Sequence, residues 1–558
     1  MNRFFLMRAA LLSATALVGG ALVQPAAAQT DGQIQSIEQQ IKALQAELSH
    51  VKSDLAARDR ALKAAQDQSA AAAAASAAAQ AQAETVQEKI AAMPPPVPVA
   101  PPTAPLPIGA FRVGGVTVTL GGFAAAEGGY RSRNQAAGID TGFNGNVPLP
   151  NSPNYHIPEY RFTAQQSRFS VLAQGQVDAA TTLSSYMETD FLSAGSSSNS
   201  NQSNSYTLRM RHFYATYDNT DTGIHFLGGQ GWSLGTMFRT GMVPRQEDIP
   251  LTIDAQYVVG FNWERQAQLR LVKDFEDQRL WAGISVEEPQ TIFGSAAGPN
   301  CLTGAGAPTG IGGGSLEYAQ CGGPNVNSLQ SYSDNYAPDI IAKLAADPGW
   351  GHYEVWSLLR FLGGRVAEAG SGRNYTTTGE GVGAGMILPL IPRKLEFQLS
   401  GLAGQGIGRY GSAQLADVTF NANGKIEPIA EYQVMGGFVA HPQPAIDVYM
   451  YGGAEEASPK YFNSGAVHAG YGNPAISLAG CSVELGACSA NTSGIVEGTI
   501  GAWWRFLKGS YGTMQVGAQY EYLNRNTFAG VGATKGSVLS PSGNENVFFV
   551  SFRYLPFQ

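Results

Sequence analysis

From Phe111 to its C-terminus the chain repeats segments of about ten residues in which apolar and polar side chains alternate, with charges in the polar set. The segment 182–191 puts Leu183, Met187 and Phe191 on one face and Ser184, Tyr186, Glu188 and Asp190 on the other. The segment 206–217 sets Leu208, Met210 and Tyr214 against Arg209 and Arg211. The last segment places Phe548, Val550, Phe552 and Tyr554 together. A period of two is that of a β-strand, whose successive side chains point to opposite faces. A soluble β-sandwich would alternate as well. Three features favour a transmembrane barrel instead. Charges sit inside otherwise apolar strands, as a polar lumen requires. Short turns alternate with long Gly/Ser/Asn-rich loops at 193–205, 295–330 and 456–495. The chain also ends in an aromatic strand like the C-terminal assembly signal of outer-membrane proteins, although Gln558 departs from the usual terminal aromatic. The expected fold is therefore an all-β barrel of about 16 antiparallel strands, wide enough for an aqueous channel.

Composition supports this. Charged residues make up 14% of the chain, against about 25% in a soluble domain. Beyond residue 30 no run approaches the ~20 apolar residues of a membrane helix. The net charge of −8 speaks against a nucleic-acid partner. Residues 1–28 read as a secretory signal: Arg3 and Arg8, an apolar stretch from Ala9 to Val23, then Ala26-Ala27-Ala28 as a cleavage site. Within 29–90, residues 34 to 62 carry a heptad pattern with Ile34, Ile41, Leu48, Leu55 and Leu62 at a, and Ile37, Leu44 and Val51 at d before Arg58 breaks it. This predicts a periplasmic coiled coil that leans towards trimers, followed by an Ala-rich helix. The rival is a single amphipathic helix. A Pro-rich linker, 91–109, then separates this stalk from the barrel at 110–558.

Four cysteines fall in two local pairs, Cys301 with Cys321 and Cys481 with Cys488. In an exported chain this spacing predicts two loop disulfides. No His lies near either pair and no CxxC occurs, so a metal site is not expected. No P-loop, HExxH or nucleophile motif marks catalysis or a cofactor. Candidate pore-lining residues are the charges within apolar strands: Arg168, Arg209, Arg211, Arg265, Arg270 and Arg360, with Glu188 and Asp190 nearby. Clustered Arg attracts anions and grips carboxylates, but Arg–carboxylate pairs can equally just stiffen a wall. The odd spacing of Arg265 and Arg270 cannot put both on one face without a bulge. Trp232, Trp263, Trp356, Trp503 and Trp504 are candidates for interfacial girdles.

Gln166-Ser167-Arg168-Phe169, Tyr186-Met187-Glu188-Thr189-Asp190-Phe191, Leu208 to Tyr214, Leu227 to Ser233, Trp503 to Tyr520, and Ser551 to Tyr554 follow one another in this order. Together these segments resemble the DcaP-like family of trimeric outer-membrane porins. The resemblance implies a sixteen-stranded barrel, a homotrimer in outer-membrane lipid and lipopolysaccharide, and passive uptake of small, often anionic solutes such as carboxylates. Two other readings remain: a tether from barrel to peptidoglycan through the stalk, and an outer-membrane enzyme such as a lipase. N-terminal sequencing of the exported protein is expected to begin at Gln29. A mature chain that retained Met1 would contradict the signal assignment.

Overall fold

The computed structural model describes residues 106–558 except 193–194, 196–200, 295–314, 318, 322–330, 369 and 466, together with six isolated helical positions between Lys52 and Ala77. The signal segment, the coiled coil and most of the Pro-rich linker lie outside the described residues. So does the expected Cys301–Cys321 pairing.

Sixteen strands form one closed antiparallel barrel. They are β1 (Val116–Arg131), β2 (Glu159–Thr163 and Arg168–Gln176), β3 (Thr181–Asp190), β4 (Arg209–Asn219), β5 (Ile224–Trp232), β6 (Arg265–Phe275), β7 (Leu280–Glu287) and β8 (Asp339–Ala346). The second half comprises β9 (His352–Glu368), β10 (Ser371–Ile391), β11 (Leu395–Gln405), β12 (Ala430–Gln443), β13 (Ile446–Ala457), β14 (Thr492–Gly509), β15 (Gly512–Thr527) and β16 (Ser542–Leu555). Each strand pairs with its sequence neighbour. β1 pairs with β16 from Ala124↔Tyr554 to Arg131↔Val547, which closes the circle. A closed sheet leaves no edge, so backbone groups stay paired where there is no water. Among the described residues no helix is long and apolar enough to cross a membrane.

Connections at one end are short: 177–180, 220–223, 276–279, 347–351, 392–394, 444–445 and 510–511. The other end carries the long loops, including 132–158, 233–264, 288–338, 406–429 and 458–491. A short strand, Ala110–Val113, folds back on the start of β1, so the chain enters the barrel at the short-turn end. The outer wall is an apolar belt: Leu183, Phe213, Leu269, Ile284, Leu344, Val382, Ile500, Phe548 and Val550 are all exposed. Such a surface is stable only against hydrocarbon or another apolar surface.

Simple alternation fails in β4. Glu188 pairs with His212 and Thr189 with Met210, leaving Arg211 as an extra residue. This β-bulge opposes two residues to one and re-aims the strand beyond it. Arg211, His212, Tyr214 and Thr216 are all buried on the inner side, while Phe213 and Tyr217 face outward. The expectation that Tyr214 lies opposite Arg209 and Arg211 is therefore corrected.

The hydrophobic core lies inside the barrel. Ile253, Tyr257, Val258, Val259 and Phe261 of loop 233–264 pack on Met435, Val439, Tyr449, Tyr451, Trp503 and Phe549 of the wall. Leu234, Phe238 and Met242 of the same loop pack on Val272, Trp281, Ile341 and Trp356. Trp232, Trp263, Trp356 and Trp503 therefore belong to this core rather than to an outer girdle, and of the five candidates Trp504, 54% exposed, faces outward. In loop 458–491, Cys481 and Cys488 form a disulfide beside the contact of Leu485 with Asn151 of loop 132–158. Mass mapping of an unreduced digest is expected to recover Cys481 linked to Cys488; free thiols at both positions would contradict the pairing.

Candidate functional site: a lumen crossed by one loop

Loop 233–264 runs across the barrel because wall side chains capture its backbone on several sides. Val259 donates to Glu497 Oε2 at 2.8 Å, and Gly260 donates to Glu455 Oε1 at 2.8 Å. The Phe238 amide donates to Glu354 Oε2 at 3.2 Å, and Lys343 Nζ donates to the Thr236 carbonyl at 2.8 Å. Trp503 Nε1 donates to the Leu251 carbonyl at 2.8 Å. A buried amide left without an acceptor costs ~1–3 kcal/mol, so each of these bonds helps fix the path. Close approach requires missing side chains. A Cβ at Gly453 of the wall would lie 1.7 Å from the Val259 carbonyl oxygen. Gly260, at φ +84°, would place one 2.0 Å from the Val434 oxygen.

Glu431, Glu455, Glu497, Glu521 and Glu545, one each from β12 to β16, are buried on this side of the wall. Of these, Glu455 and Glu497 hold the crossing loop, while Glu545 accepts from Gln135 of loop 132–158. Their alternation was visible in sequence, but nothing in sequence linked them to these loops. Within the loop, burial raises the Asp254 carboxyl to about 6 against hydrogen bonds from Thr141 and Gln256. Burial likewise raises Asp248 to about 6, opposed by Arg239 at 2.6 Å.

The opposite wall is basic. Arg209 grips Asp190 with two bonds of 2.8 Å. Arg211 donates to Glu188 at 2.6 Å and to Asp190 at 2.9 Å. Arg168 lies 3.6 Å from Glu188, and the Tyr186 hydroxyl donates to Glu188 at 2.9 Å. The bulge at Arg211 lets Arg211 and His212 both turn inward. Arg265 stands at the edge of this group with its guanidinium 5.0 Å from the Trp232 ring and 5.1 Å from the Trp263 ring.

The structure thus brings together Arg168, Glu188, Asp190, Arg209 and Arg211, with Arg265 beside them. It does not bring Arg270 and Arg360 to them. Arg270, 2% exposed, bonds the Gln268 side chain and the Trp232 carbonyl beneath Phe238. Arg360 is fully buried between Asp339 at 3.1 Å and Asp417 at 2.6 Å, and it holds the Gly406 carbonyl of loop 406–429. It acts as a clamp on that loop, away from the open lumen.

Between the crossing loop and the basic wall lies a cavity of about 470 Å³. Arg168, Arg211, Arg245, Arg505 and Arg553 line it, with the carboxylates Glu188, Glu247, Asp254 and Asp447. Sequence reading missed Arg245, Arg505 and Arg553 as lumen candidates. Arg553 shares the inward parity of Ser551, and that signal could have found it. It pairs with Glu127 at 2.7 Å and lies 4.6 Å from the Trp503 ring. Arg505 pairs with Asp447 at 2.5 Å. Arg245 lies in a loop, where alternation carries no information.

An apolar outer belt, a charged interior and a loop folded across the bore define a transmembrane β-barrel of the channel type. The chain shares its fold with the crystallised outer membrane channel DcaP of Acinetobacter baumannii, at a TM-score of 0.52 and 18% identity over 80% of this chain and 100% of that one. The segments that resemble the DcaP-like porins thus sit in a barrel with the fold of DcaP itself. OmpT of Vibrio cholerae in its trimer form (TM-score 0.38, 11% identity, 79% of this chain, 99% of that one) overlaps too loosely to bear on the fold. The same holds for an anion-selective porin from Comamonas acidovorans (TM-score 0.39, 10% identity, 79% and 99%). No protein-family model and no curated protein matches the chain.

Replacing Gly453 by Ala forces a methyl group into the Val259 carbonyl. The barrel is expected to form, as judged by heat-modifiable migration on gels. The loop is expected to leave its seat, giving a larger single-channel conductance than wild type. Unchanged conductance in a folded variant would mean that this contact does not set the bore.

Proposed function

We propose that the protein is an outer-membrane porin through which small hydrophilic solutes diffuse passively, with a preference for anions such as small carboxylates. The observation that carries this reading is the arginine-lined cavity beside the crossing loop. Ions sense the local field where the path narrows, so a chain with net charge −8 can still select anions. Glu455 and Glu497 are engaged by backbone amides of the crossing loop, whereas the arginines line open space. The fold shared with DcaP supports the channel class.

In this reading the long-loop end faces outward and the short-turn end faces the periplasm, where the chain enters the barrel. The segment 29–90 is then a periplasmic stalk. It assists a homotrimer whose barrels sit in outer-membrane lipid and lipopolysaccharide, and peptidoglycan is its candidate partner in the periplasm. A pure tether would need no arginine-lined cavity, so the cavity favours the channel over that reading.

Planar-bilayer recordings test this. Wild type is expected to conduct and to give an anion-selective reversal potential. The Arg209→Ala, Arg211→Ala double variant is expected to shift it towards cations and to weaken block by small dicarboxylates. Adding Glu188→Gln and Asp190→Asn removes the two stranded carboxylates and is expected to bring selectivity back. The shift should shrink between 0.1 M and 1 M salt, as the screening length falls from about 10 Å to about 3 Å. A cation-selective wild type would overturn the anion preference, and a folded barrel that does not conduct would overturn the channel itself.

A further inference from the structure

Inside the bore, loop 233–264 forms a small hairpin. Arg239 donates to the Gln246 carbonyl and Asp248 to the Met237 carbonyl, both at 2.7 Å. Its tip is pinned to the short-turn end by Asp347, which accepts from the Gly241 amide at 2.9 Å and from Thr240 at 3.3 Å. Arg245 closes the hairpin with left-handed backbone, φ 70°. This conformation is unfavourable for an L side chain other than Asn or Asp. The Arg245 side chain is nevertheless exposed to the lumen, its guanidinium 5.9 Å from the centre of the Tyr186 ring.

A second cavity of about 410 Å³ lies beyond the hairpin, towards the short turns, lined by Ser184, Thr216, Asp218, His225 and Trp281. Arg245 lines this cavity as well as the arginine-rich one. Among the described residues no carboxylate forms an ion pair with Arg245, although Glu247 lines the first cavity with it and feels its charge. Asp218 of the second cavity is engaged by His225 at 2.9 Å. By contrast, Arg168, Arg211, Arg505 and Arg553 are each ion-paired. Among the described residues Arg265 also lacks an ion-pair partner, but it lines neither cavity.

We propose that Arg245 is the specificity-determining residue of permeation, a guanidinium at the junction of two lumen chambers that small anions meet in passing from one to the other. The inference rests on the channel reading and adds the residue whose charge acts on the solute. A paired guanidinium shares its field with a carboxylate a few ångströms away. Arg245 forms no such ion pair, and a fixed, strained backbone on a pinned hairpin holds it at one place in the path.

The test uses the full-length protein in planar bilayers. Arg245→Asn suits the left-handed backbone and removes the charge, and Arg245→Lys restores it. The Asn variant is expected to lower the anion-to-cation permeability ratio by about two- to fivefold at 0.1 M salt, with a smaller change at 1 M. The Lys variant should stay near wild type. In an Arg245→Cys variant, a negatively charged methanethiosulfonate should lower the anion ratio further and a positively charged one should restore it, whichever side it enters from. A conducting wild type with an Asn variant of unchanged reversal potential, or a Cys variant whose current ignores both reagents, would overturn this assignment and leave the channel reading intact. A folded wild type without conductance would overturn both.

Discussion

The pairing of β1 with β16 governs everything else in this molecule. Open sheets expose rows of amide and carbonyl groups, and hydrocarbon offers those groups nothing to bond. Registering Ala124 to Arg131 against Tyr554 to Val547 converts sixteen strands into a surface without edges. Closure then fixes two environments, and each strand must satisfy both. Phe548, Val550 and Phe552 face out, while Glu545, Ser551 and Arg553 face in. The aromatic end of the chain is thus both the last strand and the seal.

A sixteen-strand bore is too wide for its own side chains to fill, so what occupies it determines what it can do. Here loop 233–264 is drawn across by carboxylates of one wall and packed down by an apolar core that includes Trp232, Trp263 and Trp503. Space is left on the other side, where Arg168, Arg209 and Arg211 surround Glu188 and Asp190. The two walls use the same chemistry to different ends. Glu455 and Glu497 accept bonds from loop amides and so set a position, whereas Glu188 and Asp190 hold guanidinium groups that border open space. Removing one member of such a buried pair leaves the other uncompensated, so pairing also stabilises the lining.

Alternation in the sequence determined the closed barrel, its channel-sized strand number, the inward placement of Glu188, Asp190, Arg209 and Arg211, and the aromatic closing strand. These follow from nearest-neighbour geometry, because a residue's face in a strand depends only on parity. Parity broke at Arg211, where one extra residue turns His212 and Tyr214 to the inner side, and no local signal announces a bulge. It also could not distinguish an inward residue that meets water from one that meets a loop. Arg360 and Arg168 read alike in sequence, yet one is clamped between Asp339 and Asp417 and the other borders the cavity. Trp356 and Trp503 likewise read as girdle residues and lie in the core. Which loop crosses the bore, which wall it covers, and that Arg245 stands between two chambers were decided by tertiary structure alone, because each depends on contacts between residues far apart in the chain that only closure of the barrel brings within reach.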